Sequence, residues 1–153
     1  AGLTRIVGLL NKHDIPATFF IPTMTMELHP DVVETLRAEP RHEIGFHSYV
    51  HENPLSLNEE QERAVYKKTM DMHVKHFGKK PVGFRSAAWD LTPATVSIVK
   101  EMGFLYESSM MADDRPYELI AEGQKTGLVE LPVEWILDDW PFFQISWPTG
   151  HVA

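Results

Sequence analysis

Short apolar runs alternate with stretches of helical spacing along the chain. Leu3, Ile6, Val7 and Leu10 recur at the interval of one helix face, and Pro16 closes that segment ahead of Ala17-Thr18-Phe19-Phe20-Ile21-Pro22, a dense run with the length of a buried strand. A second helix is expected from Pro30 to Ala38 with Val32, Val33 and Leu36 inward, then a strand over His42–His47 and a loop through Asn53-Pro54. Ser56 and Glu59 form a capping-box pattern for the longest helix, in which Val65, Tyr66, Thr69, Met72, His73, His76 and Phe77 share one side and which Gly78 and Pro81 end. Val82–Ala87 reads as the next strand. Thr92-Pro93 opens a helix that Gly103 stops, and Phe104–Ser108 and Leu128–Val133 are two further strands. Such alternation, with few hairpin signals, predicts a parallel α/β architecture, either a barrel or a doubly wound sheet.

Composition removes several function classes. The net charge of −8 is concentrated late: after position 80, Arg85, Lys100, Arg115 and Lys125 are the basic residues against eleven acidic ones. No basic stripe is available for nucleic acid. The apolar runs fall far short of the roughly 20 residues that cross a bilayer, so no membrane segment is expected. Cysteine is absent, which excludes disulfides, thiolate metal sites and a cysteine nucleophile together. There is no Gly-x-Ser-x-Gly elbow, phosphate-binding glycine loop or dinucleotide fingerprint. Metal-assisted hydrolysis is the sharpest enzymatic option left.

Three segments carry chemistry. In Glu43-Ile44-Gly45-Phe46-His47-Ser48-Tyr49-Val50-His51-Glu52, two histidines four apart lie where a strand runs out, and period two puts Glu43, Gly45 and His47 on one face. His47 and His51 either converge on one divalent ion or reflect a chance spacing among eight histidines. His73 and His76, on a long helix, read as packing or surface residues. In Phe84-Arg85-Ser86-Ala87-Ala88-Trp89, a guanidinium buried at a strand end needs a carboxylate partner, with Glu130 and Glu134 sharing a face on a later strand; a surface arginine is the other reading. The third segment, Val133 to Phe143, sets Asp138 and Asp139 among Trp135, Trp140, Phe142 and Phe143. It either lines a substrate pocket, with Trp140 beside Asp139 as the leading candidates, or closes the core with an aspartate capping a turn.

In this order the segments resemble the polysaccharide deacetylase (NodB-homology) superfamily: residues 17–22, the His-Glu-Ile-Gly-x-His-Ser-x-x-His stretch at 42–51, the arginine motif at 85–89, and Gly-Phe-Leu-Tyr-Glu-Ser-Ser at 103–109. The Leu131–Trp135 and Asp138-Asp139 stretch further resembles the branch of peptidoglycan deacetylase-like, allantoinase-like and cyclic imide hydrolase-like proteins. The resemblance implies a distorted (β/α) barrel with an incomplete set of strands, and metal-dependent removal of an acetyl group. The metal, usually zinc, is held by two histidines and an aspartate. Carried over by motif position, His47 and His51 are metal ligands, Ser48 and Glu43 support them, and Arg85 orients the base aspartate. Trp89, Asp139 and Trp140 form the substrate groove.

The early aspartate motif of that family would precede Ala1, and its late histidine motif would follow Ala153; Asp14, in a His-Asp-Ile turn, does not replace the first, and His151 is not assigned to the second. Arg-Ser-Ala-Ala-Trp also lacks the prolines many members carry. The expectation is therefore one truncated domain over residues 1–153, a partial α/β barrel lacking its first and last elements, that binds zinc weakly and catalyses little by itself. Glu43, Asp90 and Asp139 are the carboxylates to search if it proves active. Expected substrates are N-acetylated amino sugars in a polysaccharide or peptidoglycan, or a cyclic imide or allantoin-type amide; a non-catalytic carbohydrate-binding domain is the third alternative. A cytoplasmic location is favoured over a secreted one, and open sheet edges give a reason to expect homo-oligomers.

Overall fold

The structure, a computed structural model, describes residues 2–144. In chain order the elements are α1 (Gly2–Lys12), β1 (Thr18–Ile21), α2 (Thr23–Leu28), α3 (Pro30–Arg37), β2 (Glu43–Phe46), α4 (Glu59–Phe77), β3 (Gly83–Phe84), α5 (Pro93–Glu101), β4 (Tyr106–Glu107), β5 (Tyr117–Ala121), β6 (Gln124–Glu130) and α6 (Trp140–Gln144). The sheet order is β1-β2-β3-β4-β6-β5, parallel throughout except for β5, which runs antiparallel to β6. The alternating strand and helix segments expected from the sequence are all present. His151 lies outside the described residues.

The β5–β6 hairpin is the main departure. Its two-residue turn, Glu122-Gly123, has φ of 51° and 73°, the paired left-handed conformation that matches the twist of a tight hairpin. The last strand accordingly starts at Gln124, ahead of the Leu128 expected, and stops at Glu130 before Pro132, which has no amide hydrogen for a ladder. Glu134 falls beyond β6 and is exposed, so it shares no strand face with Glu130. The capping box of α4 is Asn58 with Gln61, Ser56 sitting instead in a one-turn 3-10 helix. Thr92 caps α5 as expected, in a box completed by Thr95. Helix α2 was not expected, because Thr23–Leu28 offers no side-chain cap and too few residues for periodicity to register.

Period two divides the sheet into two chemically different faces. On one face Phe46, Phe84 and Leu128 pack with Tyr66 and Met70 of α4, Ile98 and Val99 of α5, and Phe104 and Leu119; Phe46 stacks on Phe84 at 5.4 Å between ring centres. Each such fully buried ring contributes about 1.5–3 kcal/mol. A second cluster joins Val7, Ile21, Met26, Val33, Leu36 and Ile44 under α1, α2 and α3. The opposite face carries Phe20, Gly45, Gly83, Tyr106 and the polar groups of the site. Gly45 and Gly83 are required there by space. A Cβ at Gly45 would sit 2.4 Å from the Phe20 ring, and one at Gly83 would sit 2.1 Å from the Tyr106 ring.

Candidate functional site

His47 follows the last residue of β2 and Arg85 the last residue of β3, so both lie at the carboxyl ends of parallel strands, where α/β sheets open clefts. The Arg85 amide donates to the Phe46 carbonyl at 2.9 Å, and the His47 imidazole reaches back with Nδ1 2.8 Å from the Arg85 carbonyl. A carbonyl oxygen only accepts, so Nδ1 carries the proton and Nε2 keeps its lone pair. Burial is the main cause that lowers the His47 pKa to about 4. The hydrogen bond to Arg85 opposes it, and the charges of His51 and Arg85 add to it. His47 is thus held neutral, the form in which imidazole binds metals.

The turn after His47 brings His51 back over it, with 4.9 Å between ring centres and 74° between planes. Ser48 and His51 both adopt left-handed φ, 60° and 68°. One carboxylate holds this turn together: Glu52 Oε2 accepts from the Ser48 hydroxyl, from the Tyr49 amide at 3.1 Å and from the Val50 amide at 2.9 Å. Burial raises the Glu52 pKa, but these hydrogen bonds outweigh it and leave the net shift downward. On its outer side the turn offers the Ser48 and Tyr49 carbonyls to the Thr23 and Met24 amides at 3.2 and 2.9 Å, satisfying free donors at the start of α2. Glu52 is the residue that motif reading missed. Its only sequence signal is an acid directly after the second histidine.

Arg85 takes no carboxylate within ion-pair distance among the described residues, contrary to expectation. Its Nε donates to the Ser108 carbonyl at 2.8 Å, its Nη2 donates to the Ser108 hydroxyl at 2.7 Å, and its guanidinium lies 4.4 Å from the Phe20 ring centre. Ser108 in turn donates to the Leu131 carbonyl at 2.7 Å. Burial lowers the Arg85 pKa, opposed by Glu107, Tyr106, Glu130 and Asp138 at longer range. With three bonds drawn through Ser108, the guanidinium is anchored from below and keeps Nη1 donors for the cleft.

The cleft is a cavity of about 570 Å³ that joins His47, His51 and Arg85 to Phe19, Phe20, Trp89, Trp135, Asp138 and Trp140. Trp89 and Trp135 meet at 4.7 Å between centres, tilted by 52°. Ala88 and Trp89 both take left-handed φ, 56° and 59°, a cost a fold bears where it turns a side chain toward a site. The loops of the two motifs are tied together by Asn53 Nδ2, which donates to Asp90 Oδ2 at 2.6 Å.

Of the candidate residues, His47, His51, Arg85, Trp89 and Trp140 line this cavity, and Ser48 supports it through Glu52. Asp139 does not line it; that side chain is exposed, and Asp138 takes the position, its Oδ1 also accepting the Trp140 amide at 3.0 Å. The swap follows from the one-turn helix Trp135–Leu137, which sets which aspartate faces inward. The segment does not close the core either, since Ile136, Leu137, Phe142 and Phe143 are exposed. Glu43 lies at the far end of β2, accepting from Thr18 Oγ1 at 3.0 Å and Tyr106 Oη at 2.9 Å, outside the cavity. His73 is buried between the Ile44 and Lys79 carbonyls, a packing residue as expected, and His76 is partly buried.

As donors, the imidazoles fit a divalent metal: His47 has its second nitrogen fixed and protonated, and the His51 ring meets it edge to face. No group of three or more histidine, aspartate or glutamate side chains converges among the described residues. Among the same residues no helix is long and apolar enough to cross a membrane.

A parallel α/β sheet with a histidine pair, an anchored arginine and an aromatic wall at its carboxyl edge defines a barrel-type fold with a polar cleft. The chain belongs to the polysaccharide deacetylase family, whose sequence profile matches residues 1–106. It is 30% identical over 162 aligned positions to the peptidoglycan deacetylase of Helicobacter pylori, an alignment covering 92% of this chain and 55% of that protein. The fold is similar to a crystal structure described as a candidate polysaccharide deacetylase from Mycobacterium smegmatis, with a TM-score of 0.83, 36% identity, and coverage of 99% of this chain and 51% of that one. Similarity to the structure of Puue allantoinase reaches a TM-score of 0.79 at 30% identity, over 93% of this chain and 46% of that one. The chain thus spans about half the length of the relatives it matches.

Proposed function

We propose that these residues serve a metal-dependent hydrolase of non-peptide carbon–nitrogen bonds, acting as a deacetylase on N-acetylated amino sugars of a polysaccharide or peptidoglycan. The observation that carries this reading is the convergence of His47 and His51 beside an aromatic-walled cavity at the carboxyl ends of β2 and β3. In it, His47 Nε2 and the His51 imidazole are two ligands of a zinc ion. When bound, the metal supplies Lewis-acid polarisation of the amide carbonyl.

The chain's own residues position these groups. The Arg85 carbonyl holds the His47 ring in one tautomer and orientation. The Glu52 carboxylate holds the turn that carries His51. Arg85, anchored on Ser108, directs its remaining N–H groups at a carboxylate or substrate oxygen in the cleft. Trp89, Trp135 and Trp140 offer flat apolar faces on which a sugar ring packs. The relative from Helicobacter pylori, named as a peptidoglycan deacetylase, supports the substrate class.

A second reading, a cyclic amide of the allantoin type, has its own support in the similarity to Puue allantoinase and in a cavity of a size suited to a small ligand. Acetate release from N-acetylglucosamine oligomers, measured beside ring opening of small cyclic amides by the zinc-loaded natural protein that carries this sequence, separates the two. Acetate release that disappears in His47→Ala and His51→Ala supports the first reading. Ring opening without acetate release overturns it in favour of the second, and neither activity overturns both.

A further inference from the structure

On the face of the sheet turned away from the cavity, Glu107 and Glu130 lie directly opposite one another, register partners on the neighbouring parallel strands β4 and β6. Both side chains are fully buried, at 0% exposure. They converge on the same short stretch of backbone. The Ser109 amide lies 3.0 Å from Glu107 Oε2 and 3.0 Å from Glu130 Oε1, the Met110 amide donates to Glu130 Oε1 at 3.0 Å, and the Ser109 hydroxyl donates to Glu107 Oε1. Ser109 Oγ also accepts the Ser86 amide at 2.9 Å, which ties the turn to the end of β3. The neighbouring Ser108, on the other side of the strand, is the anchor of Arg85.

Two carboxylates side by side in a buried layer are costly unless a cation or a proton joins them. The titratable groups facing the pair are Arg85 from the end of β3, Tyr66 from α4 with Glu62 beside it, and Tyr117 from β5 with Asp113 nearby. Arg85 is the one cation in that set, and its guanidinium lies on the cavity side of the sheet, bonded to Ser108. α5 brings the apolar Ile98 and Val99 to this layer. Glu130 Oε2 is buried and finds no donor among the described residues. A proton between the two carboxyls would supply that donor.

We propose that Glu107 and Glu130 share one proton and that the protonated pair is a positioning element, clamping the Ser108–Met110 turn onto β3 and β6 and through Ser108 holding Arg85 in the cleft. The Glu107 pKa follows the same direction, raised to about 9 by burial first and then by the hydrogen bond and charge of Glu130. Because the folded-state value lies above the ordinary 4.5, the native protein holds one proton more than the unfolded chain across that interval. The stabilisation is fully present below the unfolded value, declines as pH rises, and is lost as pH passes through about 9. For one proton, the unfolding equilibrium constant rises about tenfold per pH unit in the window.

Three measurements test this, none of which uses activity or a metal. Infrared spectra of the wild-type protein should show a protonated carboxyl at neutral pH that titrates away near about 9. Denaturant unfolding across the same range should show the proton-linked loss of stability in the wild type and a flattened profile in Glu130→Gln and Glu107→Gln, where an amide replaces the shared proton. Solvent exchange of the Arg85 Nε–H should accelerate in the wild type as the pair loses its proton, beyond its acceleration in the Gln variants. Absence of the carboxyl band overturns the shared proton, as do superimposable wild-type and variant profiles. An Arg85 Nε–H exchange that ignores the transition overturns the positioning role. If neither variant folds, the infrared titration and the wild-type exchange still decide both halves.

Discussion

His47 Nδ1 and the Arg85 carbonyl oxygen are 2.8 Å apart, so the backbone of the arginine motif selects the tautomer of the first histidine. Two motifs separated by 38 positions are thereby one unit: β3 cannot shift relative to β2 without turning the His47 ring. The proposed metal role makes this bond an outer-shell partner of the kind that orients ligands.

Removing either imidazole should lower zinc affinity by more than the roughly 10–100-fold typical of losing an outer-shell partner. Competition titration with a chromophoric chelator checks this for His47→Ala and His51→Ala. His73→Ala, which removes a buried packing histidine, should unfold at lower denaturant with zinc affinity unchanged. Equal affinity in all three proteins would remove the metal role of the pair.

Glu52→Ala should loosen the turn from Ser48 to His51, since one carboxylate oxygen there takes the Ser48 hydroxyl and two amides. A loss of about 1–3 kcal/mol in stability is expected from the donors left without a partner. Zinc affinity should fall about 10–100-fold as His51 loses its fixed position. Both are read from denaturant melts with and without the metal; an unchanged pair of values would mean that the left-handed turn stands without Glu52.

Two glycine substitutions should act with opposite signs. Gly83→Ala places a Cβ 2.1 Å from the Tyr106 ring, whose hydroxyl is held by Glu43, and overpacking of this kind costs about 1–3 kcal/mol. Gly8→Ala, on the exposed side of α1 with nothing within 4 Å, should raise stability by about 0.5–1 kcal/mol through the entropy of the unfolded chain. Urea midpoints of the two variants against the wild type decide the matter.

Trp135→Ala and Trp89→Ala should each weaken binding of an N-acetylglucosamine oligomer, by about 0.5–1.5 kcal/mol for the aromatic face removed. Because the rings touch, the double variant should lose less than the sum. Calorimetric titration of the four proteins measures the coupling. Additive losses would place the rings at separate contacts instead of one wall.

Much of the scaffold was legible in the chain because its signals are local. The strand at Ala17–Pro22, the cap at Thr92-Pro93 and the stop at Gly103 follow from neighbouring residues and stand where expected, β1 trimmed to Thr18–Ile21. The β5–β6 hairpin is hardly legible, although Ala121-Glu122-Gly123-Gln124 contains its turn, because Glu at a left-handed position is a weak signal beside the asparagine–glycine and aspartate–glycine pairs that usually mark one. The capping box sits two residues later than Ser56 suggests for a similar reason: Ser56 and Glu59 match the pattern, but Asn58 and Gln61 match it too, and only the incoming 3-10 turn chooses between them.

The site divides along the same line. The sequence by itself determined that His47 and His51 stand where a strand runs out, that Arg85 ends another, and that an aromatic segment with two aspartates follows, since each of these needs only period two and the order of motifs. Tertiary structure decided the partners: Ser108 in place of a carboxylate for Arg85, Asp138 in place of Asp139 at the cavity, Glu52 as the keeper of the histidine turn, and Glu130 facing Glu107. Partner choice depends on the register between strands far apart in the chain and on turns that use left-handed backbone. The register is encoded in no one segment, and the turns, though local, place left-handed backbone at Ser48, His51 and Glu122, residue types that rarely signal it. The register is fixed only when the whole sheet buries its faces together.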